Sequence, residues 1–76
     1  MNPRFRINEV VTLLKDLPQE GLKAGATGVV VAEFRVPNEA YEVEFCDSNG
    51  RTITQATLEP HQLQKDFKKR SKRHPR

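Results

Sequence analysis

The chain has no tryptophan and holds one tyrosine, one cysteine and one methionine among its 76 residues. A lone cysteine, Cys46, cannot form an internal disulfide, and the opening Met-Asn-Pro-Arg-Phe-Arg lacks the apolar core of a signal peptide. A cytoplasmic protein is therefore expected. No apolar run approaches the roughly 20 residues that a membrane-spanning helix needs. The aromatic set is Phe5, Phe34, Tyr41, Phe45 and Phe67, too thin to line a groove for proline-rich peptides. His61 and His74 have no second histidine or cysteine at metal-ligand spacing, so neither a metal nor a cofactor is expected.

What is present is charge, and it is unevenly placed. Residues 65–76 carry Lys65, Lys68, Lys69, Arg70, Lys72, Arg73 and Arg76 against Asp66 alone, a net +6. Since the whole chain has 13 basic and 10 acidic residues, 1–64 keeps six basic and nine acidic, a net −3. The high pI thus describes the tail and not the body. The division into a folded domain at 1–64 and a basic tail at 65–76 follows from this shift and from the loss of apolar patterning after Gln64. The tail is expected to be disordered or to form a short helix, because Phe67 falls one helical turn after Leu63.

The body reads as a mainly β fold. Residues 9–14 (Glu-Val-Val-Thr-Leu-Leu) are short and β-branched, which suits a first strand. Residues 15–24 form a surface loop with one helical turn after Pro18, and Leu17 and Leu22 turn inward. Gly25 and Gly28 flank the turn into a second strand at 27–35, where a close backbone approach or a positive φ favours glycine. Its Val29-Val30-Val31 run breaks alternation, which predicts cover on both faces, one by a loop or a second subunit. In a third strand at 40–46, Tyr41, Val43 and Phe45 alternate with Glu42 and Glu44. A tight Asp47-Ser48-Asn49-Gly50 turn leads to a fourth strand at 51–58, and Pro60 starts a turn that returns Leu63 to the core. The expected architecture is a small, strongly bent SH3-like antiparallel barrel of about five strands. A core this small rarely supplies more than about 3 to 5 kcal/mol, so a homodimer is a natural source of further stability.

The strings Asp16-Leu17-Pro18 with Gly21-Leu22, Gly25 and Gly28 before the valines, and Tyr41-Glu42-Val43-Glu44-Phe45 leading to Gly50-Arg51-Thr52 carry a likeness over residues 7–64. In these the chain resembles the domain-of-unknown-function 4926 family, from which it departs at Ala26 and Thr54. The resemblance implies a small SH3-like barrel of bacterial, often cyanobacterial, type and no established activity. A plasmid-borne type II dihydrofolate reductase shares that architecture as a pore-forming tetramer. Its Val-Gln-Ile-Tyr motif is replaced here by Thr52-Ile53-Thr54-Gln55-Ala56, without the tyrosine, which makes an oligomer of that kind a remote alternative.

No residue set converges on catalysis. Cys46 ends a strand with no basic partner at fixed spacing and reads as a structural thiol, and Glu42 and Glu44 read first as a solvated face. No enzyme is expected. The function expected is a non-catalytic interaction module of unknown protein partner, accessory or antitoxin-like. It would use the strand-two edge (Val29, Val31, Glu33, with Glu42 and Glu44) or a groove between the 16–24 loop and the 47–50 turn. Glu33, Glu42 and Glu44 would together form an acidic patch for a basic partner, including the chain's own tail. The alternative is RNA or DNA binding through Lys65, Lys68, Lys69, Arg70, Lys72, Arg73 and Arg76.

Overall fold

The computed structural model describes residues 4–66, and these form one antiparallel sheet: β1 (Val10–Leu13), β2 (Thr27–Phe34), β3 (Ala40–Cys46), β4 (Thr52–Leu58) and β5 (Leu63–Lys65). The spatial order is β4-β3-β2-β1-β5. Short 3-10 turns at Pro18–Glu20 and Pro60–Gln62 occupy the places where proline predicts them. The architecture is mainly β, as the alternation requires. The sheet is open, since β4 and β5 are its two edges and neither pairs with the other.

One apolar cluster holds the sheet. Val11 and Leu13 of β1, Val30 of β2, Tyr41, Val43 and Phe45 of β3, Ala56 and Leu58 of β4 and Leu63 of β5 all enter it, with Leu17 and Leu22 from the loop. Among the described residues no second layer covers that face, so the five strands wrap around their own side chains, which makes the sheet barrel-like. The hairpin turns are chemically simple. The Asp47 carboxylate accepts the N–H groups of Asn49 and Arg51, and Gly50 takes the left-handed φ of 83° that closes the β3–β4 turn.

Two bulges set which side chains face in. Val30 pairs with Val43 and Ala32 with Glu42, so Val31 is the extra residue of β2. The Val29-Val30-Val31 run is therefore explained by a bulge and not by cover on both faces: Val30 is inward, Val29 half-buried outward, and Val31 exposed. A second irregularity at Ile53 interrupts the β3–β4 pairing.

The N-terminal arm closes one end of the core. Phe5 is buried and its ring meets that of Tyr41 edge-on, with centroids 5.2 Å apart at 86°. The Tyr41 hydroxyl accepts the N–H groups of Arg4 (3.0 Å) and Phe5 (3.3 Å) and donates to the Glu39 carboxylate. Burial, then the Glu39 carboxylate, pushes the phenol above its ordinary value of 10.0. Donation by Tyr41, then by the Arg4 N–H, holds Glu39 below 4.5. A raised phenol pKa stabilises the fold fully below pH 10 and loses that contribution as pH climbs through the folded value. The contribution of Glu39 has the opposite sense, present above pH 4.5 and lost as pH falls through its depressed value. Because Tyr41 is the chain's single tyrosine, tyrosinate absorbance reads it alone. Its native midpoint is expected above 10 and should return to the ordinary value in denaturant; equal midpoints in the two states would mean that the phenol is unshielded.

Chain ends were read less well from the sequence. β5 runs through Lys65, and the Asp66 N–H donates to the Val10 carbonyl. The folded body thus passes the expected boundary at residue 64. Leu63–Lys65 is a strand, so a helix joining Leu63 to Phe67 does not start there. Residues 67–76 lie outside the described residues.

Candidate interaction surfaces

Of the residues expected to contact nucleic acid, Lys65 is the one that falls within the described structure. Its ammonium sits 3.5 Å from the Glu9 carboxylate at the rim of the β1–β5 pair, which gives it an ion partner on its own body. Lys68, Lys69, Arg70, Lys72, Arg73 and Arg76 lie outside the described residues, as does His74.

The five residues expected to form one protein-binding edge are separated by the fold. β2 is the middle strand of the sheet, bordered by β1 over Thr27, Gly28 and Val29 and by β3 along its length. Backbone bonds from Asn8 and Glu9 extend the first border to Val30. Among the described residues β2 is flanked by β3 alone only beyond Val30, so the edge exists there for Val31–Phe34 and not for Val29. The bulge also divides the acidic patch. Glu33 pairs with Tyr41, which points into the core, whereas Glu42 and Glu44 lie on the outer face opposite Ala32 and Val29. Glu33 is held 3.7 Å from Arg35, and Glu42 accepts the Gln55 amide and the Thr57 hydroxyl across the β3–β4 pair. One contiguous field of three carboxylates is not formed.

The 16–24 loop is one wall of the groove expected between it and the 47–50 turn. The loop packs inward through Leu17 and Leu22 and is tied to β4 by a hydrogen bond from the Thr54 hydroxyl to Glu20 at 3.4 Å. A shallow outer cleft of about 390 Å³ lies between the turn and the outward residues of β1 and β2, lined by Val10, Thr27, Val29, Cys46, Asp47 and Ser48. Its carboxylate, Asp47, is occupied by turn N–H groups. Cys46 is half-buried there. His61 contacts Glu59 at 2.6 Å on the exposed turn before β5. These groups do not converge on a common point, and among the described residues no three metal-ligating side chains cluster.

Beside Val31, which the expected edge included, sequence reading passed over two exposed apolar residues, Phe34 and Val36. Phe34 is 44% exposed and Val36 82%, next to Val31 at 38%, all within six residues at the distal end of β2. The signal lay in the sequence Phe34-Arg35-Val36, whose apolar residues continue past the point where the bulge has already used up the core phase.

A model of one family, described as Domain of unknown function (DUF4926), matches residues 7–65. The chain belongs to that family. No curated protein and no solved structure matches it. The match ends on Lys65, the last residue of β5, and begins two residues after Phe5. In this DUF4926 chain the matched residues hold all five strands, and Phe5, which joins the core, lies before the match.

Among the described residues no helix is long and apolar enough to cross a membrane.

Proposed function

We propose that this DUF4926 chain is a non-catalytic protein-binding module, accessory or antitoxin-like, working in the bacterial cytoplasm. The observation that carries the reading is the apolar end of β2, where Val31, Phe34 and Val36 stand exposed beside a strand edge that, among the described residues, only β3 borders. Exposed apolar side chains grouped on a domain this small mark a contact surface, and an open strand edge supplies backbone donors and acceptors for an added strand. Glu33 and Arg35 alternate with the apolar residues and would form a polar rim. Tyr41 supports the non-catalytic reading, because its hydroxyl is committed to Arg4, Phe5 and Glu39 inside the fold.

The test places a photo-activated cross-linking residue at Phe34 in cells. A discrete protein adduct is expected, lost with Val36→Asp and absent when the cross-linker stands at exposed Gln19. Adducts with nucleic acid alone, or equal adducts at both positions, would reject a protein partner at this surface. Nucleic-acid contact through Lys68, Lys69, Arg70, Lys72, Arg73 and Arg76 is the second reading, supported by the run of charge. It predicts binding to short RNA or DNA with a log-log salt slope near −4 to −5, abolished by replacing those six with glutamine.

A further inference from the structure

We propose that residues 67–76 fold back along the edge of β2 at Val31–Phe34, as a tethered strap that a protein partner must displace. The inference rests on the reading of that edge as a contact surface and names the segment that controls access to it. The register of the sheet leads the chain there. Lys65 pairs with Val11 of β1 and Val11 with Gly28 of β2; the Asp66 N–H then donates to Val10, whose partner on β2 is Val29. β5 and β2 are each antiparallel to β1, so they run in the same direction. The chain that leaves Asp66 therefore starts level with Val30 and heads the way Val31–Phe34 runs. The lane between them is vacated at that level. Among the described residues the last backbone bonds to β2 on this side join Asn8 and Glu9 to Val30, and on the far side of Asn8, at a φ of 78°, the arm seats Phe5 against Tyr41.

Length and charge fit the same occupant. Moving from the lane of β5 to the one beside β2 takes a sideways step of about 4.8 Å, and Val31–Phe34 spans about 13 Å, against roughly 33 Å for the extended length of residues 67–76. Those residues hold Lys68, Lys69, Arg70, Lys72, Arg73 and Arg76 and no acidic residue, whereas 4–66 hold seven basic and ten acidic, a net −3. Leu63 and Lys65 share one side of β5 and Leu63 is buried, so continued alternation sets Lys68 and Arg70 on the outer side, where Glu42 and Glu44 stand on β3. Glu44 has no ion pair among the described residues. The aliphatic stems of Lys68 and Arg70 are long enough to lie over Val31 and Phe34 while their charges reach toward these carboxylates. A lysine-rich cover is also a common way to blunt a strand edge. Exposed ion pairs are weak one by one, but tethering raises the local concentration to the order of millimolar, so a weak strap covers the edge and still yields to a tighter partner.

The test uses the purified full chain with a photo-activated cross-linking residue at Phe34. An adduct within one molecule is expected, mapping to residues 67–76 by peptide mass and formed in unchanged yield on dilution. Lys68→Glu/Arg70→Glu should lower that yield about threefold or more, and adding Glu44→Lys should recover part of it. The same cross-linker at Val36 gives a second reading if the Phe34 substitution disturbs the fold. Absence of an adduct to 67–76 from both positions overturns the proposal. So does an adduct that fades on dilution because it joins two molecules, or a yield indifferent to Lys68→Glu/Arg70→Glu. In cells that double variant should raise the partner adduct at Phe34 about threefold, by freeing the edge. A partner adduct with no intramolecular one removes the strap and leaves the contact surface standing; an intramolecular adduct with no partner one keeps the strap and removes the partner.

Discussion

Phe5→Ala is expected to remove about 3 to 5 kcal/mol of unfolding free energy, the usual loss for a buried phenylalanine. In a 76-residue chain that is most of the stability available, since a core of this size supplies only a few kcal/mol. The size of the effect comes from what the ring does. Phe5 is 5% exposed, lies edge-on against Tyr41, and its own N–H is anchored on the Tyr41 hydroxyl. Without the ring the arm loses its reason to stay, and the Tyr41 phenol gains access to water. Urea denaturation should show the loss of stability, and the tyrosine titration of the same variant should move back toward 10. Ile7→Ala, two residues on and half exposed, is the matched control and should change stability by less than about 0.5 kcal/mol. A Phe5→Ala protein as stable as the control would show that the arm only rests on the domain.

Gly28→Ala should destabilise by about 1 to 3 kcal/mol, the range for forcing atoms into a filled core. A Cβ at this position would meet Val43 Cγ1 at 2.7 Å, the Glu44 carbonyl oxygen at 2.9 Å and Phe45 Cδ1 at 2.9 Å. One of the three is backbone of the neighbouring strand, so relief requires β2 and β3 to separate. Against this, alanine restricts the unfolded chain and would favour folding by about 0.4 to 1 kcal/mol where it fits. The clash is the larger effect and sets the sign. Gly28→Val should prevent folding altogether. Thermal unfolding of the alanine variant checks the claim, and an unchanged or raised Tm would mean that the strands tolerate the extra atom.

Local chemistry was readable residue by residue. The alternation of Tyr41, Val43 and Phe45 with Glu42 and Glu44 places β3 at Ala40–Cys46, the span observed. Gly25 and Gly28 were expected to need a positive φ or a close approach; Gly25 has φ 98° and Gly28 the close approach. Pro18 and Pro60 start short turns, and Leu17 and Leu22 fold inward. Each of these follows from steric or hydrophobic preferences within a few residues of sequence. The surface expectations fared worse, because each depended on a phase or a partner many residues away. Glu33 was grouped with Glu42 and Glu44 as one acidic patch, and the extra residue at Val31 sets it opposite Tyr41. Lys65 was assigned to the tail by charge, whereas backbone pairing with Val11 draws it into the sheet.

By itself the sequence determined that this is a small, mainly β chain of the DUF4926 family. It also determined where its turns fall and which face of β3 is buried, since side-chain period and turn chemistry are local. Only the tertiary structure decided that Phe5 joins the core and that, among the described residues, β2 is central with a free edge only past Val30 and β4 is an edge strand. Those outcomes are set by long-range register and by the shape left when one curled sheet closes on its own side chains, and no local pattern encodes which strand will be left at the edge.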